Sequence, residues 1–244
     1  MNVISVWICG IDEAGRGPVL GPLVVALCGI PNADISLLSE QSIDDSKVLS
    51  KQKREEIVAW FEEKKTTHQW KCCIALCEPE DIDIAVYENN LNLLEAQTFS
   101  KVIQLFDCHE HAEIVADACD TNPERFTNRI ISHCKDWSNR NYALISEHKA
   151  DSNHQIVALA SILAKHHRDL AIEQLKQQLG IEIGSGYPSD PNTQKSLSHL
   201  ICLPQPHDSV RWSWKTVQNF WDAHFDVPLP IRSSNGLSRQ TTLF

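Results

Sequence analysis

Four acidic residues stand at or just beyond the ends of three apolar stretches of the sequence. Asp12 and Glu13 follow the run VWICGI, Asp117 follows EIVA, and Asp151 lies five residues beyond YALIS. If these stretches are strands of an open α/β sheet, their carboxyl ends are where functional sites usually form. Carboxylates crowded into one site repel one another strongly unless cations are present. The sequence therefore predicts that these acids meet at one edge of a sheet and hold metal ions.

The chemistry of these four side chains narrows the choice of metal and of reaction. Oxygen ligands without His or Cys favour Mg²⁺ or Mn²⁺ over Zn²⁺. Two such ions, about 3.5–4 Å apart, stabilise the attacking and leaving oxygens of an in-line phosphoryl displacement. Phosphodiester hydrolysis is the reaction that this arrangement favours.

Each acid also has a plain structural explanation. Asp12 and Glu13 could form a solvated turn, Asp117 could start a turn, and Asp151 could cap the helix that follows it. Because adjacent strand residues point to opposite faces, Asp12 and Glu13 are expected to share a site only if the strand ends there and the backbone turns. The glycines of the following Gly-Arg-Gly would permit that turn and a close approach of a ligand to the main chain.

The spacing of the apolar residues predicts an α/β layered fold in which strands come first and then alternate with helices. The predicted strands are 3–11, 20–30, 70–76, 113–116 and 142–146. The predicted helices are 50–65, 85–106, 122–134, 153–180, 192–200 and 210–225. The acidic stretch before residue 85 is expected to be a loop. Asp151 is expected beside the positive, N-terminal end of the longest helix.

Composition describes a soluble globular chain of 244 residues, long enough to bury a sizeable core. No window approaches the roughly 18 apolar residues of a membrane span, and no signal peptide is recognisable. The nine cysteines are odd in number and contain no C-x-x-C pair, which favours buried thiols in a reducing cytoplasm. The formal charge of −10 argues against a nonspecific polyanion binder, but it does not exclude nucleic acid bound through metal ions.

Several segments closely resemble, in the same order, the motifs of type 2 ribonuclease H. They are GIDEAGRGPVLGPLV, DDSKVLSKQKRE, VADACDTNPERF, EHKADSNHQIVALASILAKHHRD, GSGYPSDPNT and VRWSWKTV. The resemblance extends to about residue 220 and is nearest to the archaeal single-chain form, ribonuclease HII, and to the eukaryotic catalytic subunit. It implies a ribonuclease H-like mixed sheet flanked by helices, with a helical C-terminal portion. The implied division is a catalytic domain (1–204), a helical extension (205–226) and a flexible tail (227–244).

The resemblance also implies roles for individual residues. The implied catalytic and metal-binding residues are Asp12, Glu13, Asp117 and Asp151. The implied substrate contacts are Gly15, Arg16, Gly17, Lys47 and Tyr187. Gly15–Gly17 would contact the sugar-phosphate around a ribonucleotide, Tyr187 would pack against its sugar, and Lys47 would lie near the phosphate backbone. The plain alternatives are a solvent-facing Arg16, a solvated loop lysine at position 47, and a turn aromatic at position 187 that covers the core.

The activity implied by the resemblance is that of a two-metal endoribonuclease using Mg²⁺ or Mn²⁺. Its substrates would be RNA–DNA hybrids and duplex DNA with embedded ribonucleotides, cut on the 5′ side of the ribonucleotide to leave a 3′-hydroxyl and a 5′-phosphate. The alternatives are another nuclease of the ribonuclease H fold and a noncatalytic module that associates with a sliding clamp. A cytoplasmic monomer is expected.

Two regions need separate comment. Where relatives commonly continue K-A-D with Tyr-Pro, this chain has Ser152–Gln155, a change that alters the entrance of the next helix but leaves the acids in place. The terminal SRQTTLF resembles the glutamine–hydrophobic–aromatic peptides that dock on a sliding clamp, with Gln240, Leu243 and Phe244 as the anchors. A disordered tail is the alternative.

Overall fold

The structure is a computed structural model that describes residues 6–41, 43 and 49–232, together with the backbone of Thr242–Leu243. Three residues implied to be functional, Lys47, Gln240 and Phe244, lie outside the described residues. Their implied contacts stay predictions.

A single mixed sheet forms the centre of the described chain, with the strand order β5-β4-β1-β2-β3-β6. The strands are β1 (Val6–Ala14), β2 (Leu23–Pro31), β3 (Lys71–Cys77), β4 (His111–Asp117), β5 (Tyr142–Glu147) and β6 (Thr242–Leu243). β2 runs antiparallel to both β1 and β3, whereas β4 runs parallel to β1 and to β5. The mixed sheet expected from the resemblance is confirmed.

Helices cover both faces of this sheet. They are α1 (Lys51–Thr67), α2 (Pro79–Tyr87), α3 (Leu91–Leu105), α4 (Pro123–His133), α5 (Ala150–Asn153), α6 (Gln155–Leu179), α7 (Pro191–Leu200) and α8 (Lys215–His224). Two 3₁₀ helices, Asn32–Gln41 and Trp137–Asn139, complete the set. Helices α1 and α6 pack on one face of the sheet, and α3 and α4 pack on the other.

Strand β1 shows how this layering follows from the sequence. Trp7, Cys9 and Ile11 point into the α3 side of the core. The intervening Gly10 faces α6, and a Cβ at that position would collide with the carbonyl oxygen of Ile156. Because both faces are covered, the strand is apolar at nearly every position rather than at alternate ones.

The region before residue 91 differs from the prediction. The acidic stretch expected to be a loop is helix α2, which begins with Pro79 at its first turn. Its Asp83 is fully buried and accepts hydrogen bonds from the backbone amides of Trp212 and Ser213, both at 2.9 Å. The expected single helix 85–106 is therefore divided, since Asn89 adopts a left-handed φ of +55° between α2 and α3. The acid-rich stretch is therefore a packed helix because its buried Asp83 has hydrogen-bond partners that are distant in sequence.

The beginning of the segment expected to be a flexible tail contacts the rest of the molecule. Leu229 packs on a cluster formed by α7, α8 and the end of α6. The guanidinium of Arg232 is buried, pairs with Asp83 at 3.4 Å and lies 4.3 Å from the ring centre of Trp212. Further along, Thr242–Leu243 pairs with Ala75 and Ile74 of β3. The two domain boundaries, after residues 204 and 226, stay predictions.

All nine cysteines are free thiols. Within the described ranges, no helix combines the length and apolar character needed to cross a bilayer.

Candidate active site

Asp12 and Glu13 both lie inside strand β1, so the expectation that the strand ends before them is wrong. Asp12 is opposite Ala26 of β2, Glu13 is opposite Val25, and the ladder continues to Ala14. Regular alternation therefore sends the two carboxylates to opposite faces. Asp12 points towards α6, where it accepts a hydrogen bond from Ser161, and Glu13 points towards α3.

The two acids nevertheless border one space, because the neighbouring strand stops short of them. Pairing between β1 and β4 ends at Ile11 and Ala116, and β4 itself ends at Asp117. From Asp12 onward β4 no longer pairs with β1, which leaves a gap at this edge of β1, here called the notch. Asp117 lies at this notch and raises the pKa of both neighbouring acids through its charge. The opposed carboxylates thus border the same open strand edge instead of sharing a turn.

Asp151 is brought to the notch by the loop that follows β5. The backbone amide of Ala150 donates to Asp117 Oδ1 at 2.8 Å, which ties this loop to the end of β4. Lys149 takes a left-handed φ of +58°, and Asp151 follows, buried, in the four-residue helix α5. The sequence predicts Asp151 beside the N-terminal end of the longest helix, α6. The structure places it in a separate short helix, α5, which precedes α6.

The unusual segment after Asp151 has its own anchor. His154 separates α5 from α6, and its Nε2 lies 2.9 Å from Glu147 Oε2 at the end of β5. This contact holds the entrance of α6 against the same sheet edge that carries Asp117.

Burial and mutual repulsion make the carboxylates costly to ionise in the protein alone. The pKa of Asp12 is raised to about 7, by burial first and then by the charges of Asp117 and Asp151. The pKa of Glu13 is raised well above its ordinary value by burial first and then by Asp12, Glu95 and Asp117. A cation placed between these groups would reverse both effects.

The donor set fits a divalent metal ion. Its members supply oxygen only, as Mg²⁺ and Mn²⁺ require. Glu13 Oε2 is buried and has no hydrogen-bond partner, and an orphaned carboxylate oxygen is strongly unfavourable without a cation. Among the described residues, no three His, Cys, Asp or Glu side chains are grouped closely enough to hold an ion by themselves.

The Gly15–Gly17 turn begins directly after these acids. Gly15 has a φ of +92°, and a Cβ there would lie 2.8 Å from the carbonyl oxygen of Pro22, so only glycine fits. Around Gly17 the space is open, since a Cβ there would meet only the Tyr187 ring, at 3.8 Å. The turn therefore packs tightly at its first glycine and faces a groove at its second.

Arg211, which the sequence analysis did not single out, holds this turn from behind. Its buried guanidinium donates to the carbonyl oxygens of Gly15 at 2.7 Å, Arg16 at 3.1 Å and Gly21 at 3.0 Å. Burial lowers its pKa to about 9. Arg211 belongs to the recognised segment VRWSWKTV, but its partners are almost two hundred residues away in sequence. Sequence spacing gives no sign of that contact.

Tyr187 forms the opposite wall of the groove. It is 42% exposed, and the guanidinium of Arg168 lies 5.1 Å from its ring centre. Arg168 is itself buried and donates from Nη2 to the carbonyl oxygen of Ser185 at 2.8 Å, which fixes the turn that carries the tyrosine. Arg168 was also missed by the sequence analysis, although it lies within a recognised segment.

The groove has a volume of about 410 Å³. Its lining comprises Glu13, Ala14, Gly15, Arg16, Gly17, Arg54, Lys165, Arg168, Asp169 and Tyr187. The structure thus brings Gly15, Arg16, Gly17 and Tyr187 together beside the acidic notch. Their contacts with substrate stay predictions.

Comparison with known proteins identifies the family of the chain. The family model for ribonuclease HII matches residues 9–217. Ribonuclease HII from Methanococcus maripaludis strain C6 is 42% identical over 214 residues, which is 87% of this chain and 86% of that protein.

Solved structures give the same result. The ribonuclease H2 from Pyrococcus horikoshii OT3 superposes with a TM-score of 0.75 at 34% identity, covering 89% of this chain and 98% of that one. The RNase HII in the PCNA:RNase HII complex from Archaeoglobus fulgidus gives a TM-score of 0.71 at 32% identity, covering 85% and 95%.

Fold and site together define a metal-dependent nuclease with a ribonuclease H-like sheet. The chain belongs to the ribonuclease HII family, whose members hydrolyse RNA paired with DNA and cleave at ribonucleotides within DNA.

Proposed function

We propose that this ribonuclease cuts on the 5′ side of a ribonucleotide embedded in duplex DNA, or within an RNA–DNA hybrid, and leaves a 3′-hydroxyl and a 5′-phosphate. The observation that carries the proposal is the position of the Gly15–Gly17 turn. It joins the acidic notch to an exposed tyrosine across a single groove. A groove that brings a ribose close to main-chain groups can test for the 2′-hydroxyl, which distinguishes RNA from DNA.

Asp12, Glu13, Asp117 and Asp151 would hold the ions, with Mg²⁺ or Mn²⁺ in a two-metal site. Bound there, the metals would supply a water-derived nucleophile and stabilise the charge of the leaving oxygen. The chain itself supplies the arrangement of the acids around the end of β4 and the fixed loop of Ala150, which donates to Asp117. Its net charge of −10 opposes a polyanion, so cations at the notch are also needed for binding near the acids.

The remaining side chains of the groove would position the substrate. The open space beside Gly17 would admit the ribose, and Tyr187 would pack against the sugar at the RNA–DNA junction. Arg16 and Lys47 would lie near the sugar-phosphate backbone. Basic side chains of Arg54 and Lys165 line the same groove and would extend this contact.

Beyond the active site, we propose that the C-terminal segment contacts a sliding clamp through Gln240, Leu243 and Phe244. A complex of a related RNase HII with PCNA supports such an association. A monomer in the cytoplasm is the proposed working form, and the free state of all nine cysteines agrees with a reducing compartment.

The proposal is tested with three labelled duplexes of one sequence. One is all DNA, one carries a single ribonucleotide, and one is an RNA–DNA hybrid, each incubated with Mg²⁺, with Mn²⁺ or with a chelator. We expect metal-dependent cutting 5′ to the ribonucleotide and no cutting of the all-DNA duplex.

The other outcomes would each correct the proposal. Cutting of the long hybrid alone would remove the ribose-reading roles of Gly15–Gly17 and Tyr187. Cutting of the all-DNA duplex would indicate a different nuclease of the same fold. The absence of cutting with either metal would overturn the single-chain enzyme and favour a noncatalytic, clamp-associated module.

A further inference from the structure

A further buried carboxylate, Glu95, lies beside the active site and is not one of the four acids proposed to hold the metal. It belongs to α3, and its side chain is fully buried. Its Oε2 is 2.6 Å from Nη1 of Arg16, whose side chain is 37% exposed. A charge as deeply buried as this one requires a partner, and Arg16 supplies it.

Arg16 is held by more than this ion pair. Its Nη2 donates to Asn92 Oδ1 at 2.7 Å, and its Nη1 also reaches the carbonyl oxygen of Cys119 at 3.3 Å. Asn92 and Glu95 are three residues apart on α3, so they present their acceptors on one helix face. Their two acceptors match the planar, two-pronged geometry of a guanidinium.

These contacts give the Gly15–Gly17 turn a second anchor. Arg211 fixes its backbone through the carbonyl oxygens of Gly15 and Arg16. The Arg16 side chain fixes it to α3, on the side of the sheet that Glu13 faces. Glu95 itself is absent from the groove lining. Its direct contact with the groove is the guanidinium of Arg16, and its charge also acts on Glu13.

We propose that Glu95 is a positioning residue that fixes the Gly15–Gly17 turn through the guanidinium of Arg16 and thereby sets the selectivity for a ribonucleotide. The inference rests on the proposed function, because it concerns how the same groove recognises its substrate. Without the carboxylate, Arg16 keeps only Asn92 and a backbone carbonyl, and the turn gains conformations that bind the ribose less well. Selectivity should fall, while the acids that hold the metal keep their places.

The first test measures the binding of uncleaved duplexes in chelator. The ratio of Kd for the all-DNA duplex to Kd for the single-ribonucleotide duplex reports the selectivity of the groove. Glu95→Gln, which keeps the size of the side chain, should lower this ratio by about tenfold. Steady-state cleavage should show a similar rise in KM with little change in kcat.

A double-variant cycle separates positioning from a general structural role. If Glu95 acts through Arg16, Glu95→Gln combined with Arg16→Ala should lower the selectivity no further than Arg16→Ala alone. Asp34→Asn is the matched control, since Asp34 accepts a hydrogen bond from Trp70 at 2.8 Å on the opposite face of the sheet. It should leave selectivity unchanged.

Several results would overturn the inference. They are an unchanged ratio in Glu95→Gln, losses that add in the double variant, and an equal loss in Asp34→Asn. If Glu95→Gln does not fold, Asn92→Ala removes the other α3 partner of the same guanidinium and must lower the ratio in its place. A wild-type protein without any preference for the ribonucleotide would instead refute the proposed function itself.

Discussion

Gly15 and Gly17 lie two residues apart, yet a methyl group would affect them in different ways. At Gly15 the φ of +92° and the nearby Pro22 carbonyl oxygen exclude a side chain. At Gly17 the space is open towards Tyr187. We expect Gly15→Ala to lower the free energy of unfolding by about 2 kcal/mol or more, since backbone strain adds to a steric clash. Gly17→Ala should keep the stability of the wild type but raise KM, because its methyl group occupies the groove.

Thermal unfolding and steady-state cleavage of the two variants distinguish these effects. The prediction fails if Gly17→Ala cleaves the single-ribonucleotide duplex with an unchanged KM. It also fails if Gly15→Ala is as stable as the wild type. Neither result would be compatible with a turn that packs at one end and binds ligand at the other.

At the scale of one residue, replacement of Asp117 should change activity without changing the stability of the fold. An asparagine at this position can still accept the hydrogen bond from the Ala150 amide, which is 2.8 Å long in the structure. It also removes one of the charges that raise the pKa values of Asp12 and Glu13. If Asp117 holds the metal as proposed, we expect Asp117→Asn to lower kcat by at least the roughly hundredfold that replacement of a residue supporting a metal site can cost, without lowering the unfolding temperature.

Glu113→Gln is the control for that variant, since Glu113 is an exposed residue on the same strand, four positions earlier. Cleavage by Glu113→Gln should equal that of the wild type. Retention of wild-type activity by Asp117→Asn would remove this residue from the catalytic site.

At the scale of elements, the link between β4 and α4 depends on one buried acid. Asp120 is fully buried, contacts Arg125, and accepts from Arg129 at 2.8 Å. These partners hold its pKa well below the ordinary value. The folded protein therefore binds fewer protons than the unfolded chain, so the stabilisation is complete above about pH 4 and is lost as the pH falls through the lowered pKa.

Asp120→Asn should accordingly lower the free energy of unfolding at pH 7 by about 1.5–3 kcal/mol, the range for hydrogen bonds to charged groups. The difference from the wild type should stay constant between about pH 8 and pH 5 and shrink in stronger acid. Denaturant unfolding at a series of pH values measures it. A difference that grows as the pH falls would contradict this assignment.

The strands and helices also show which features of the fold can be predicted from the sequence and which cannot. Apolar runs locate β1, β4 and β5. β1 is apolar at nearly every position because both of its faces are covered, whereas β4 and β5 bury alternate residues and are still rich in apolar side chains. The site differs from its prediction because the length of β1 is set by its partner β2, which extends the ladder past Asp12 and Glu13 to Ala14. Likewise, α2 forms because Asp83 meets backbone amides more than a hundred residues away. Local patterns do not contain such pairings.

At the scale of the whole molecule, residues 227–232 contact the rest of the fold. The sequence places a flexible tail from residue 227, but Trp221 donates through its indole nitrogen to the carbonyl oxygen of Val227 at 2.7 Å. Arg232 pairs with the buried Asp83 and donates to the carbonyl oxygen of Asp208 at 2.8 Å. A chain cut after residue 226 loses these contacts and leaves the charge of Asp83 without its arginine. We expect this truncation to lower the free energy of unfolding by about 3 kcal/mol or more.

A chain cut after Arg232 keeps those contacts and all the groove residues, so it should unfold at nearly the same temperature as the full chain and cleave at the same rate. It lacks Leu243, whose backbone pairs with Ile74 of β3, and the rest of the proposed clamp-binding segment. Binding to a PCNA-type clamp, measured by calorimetry, should therefore be lost while cleavage of free duplex persists. Equal stability of the two truncated chains would restore the boundary at residue 226. Undiminished clamp binding by the longer one would mean that the clamp is contacted elsewhere.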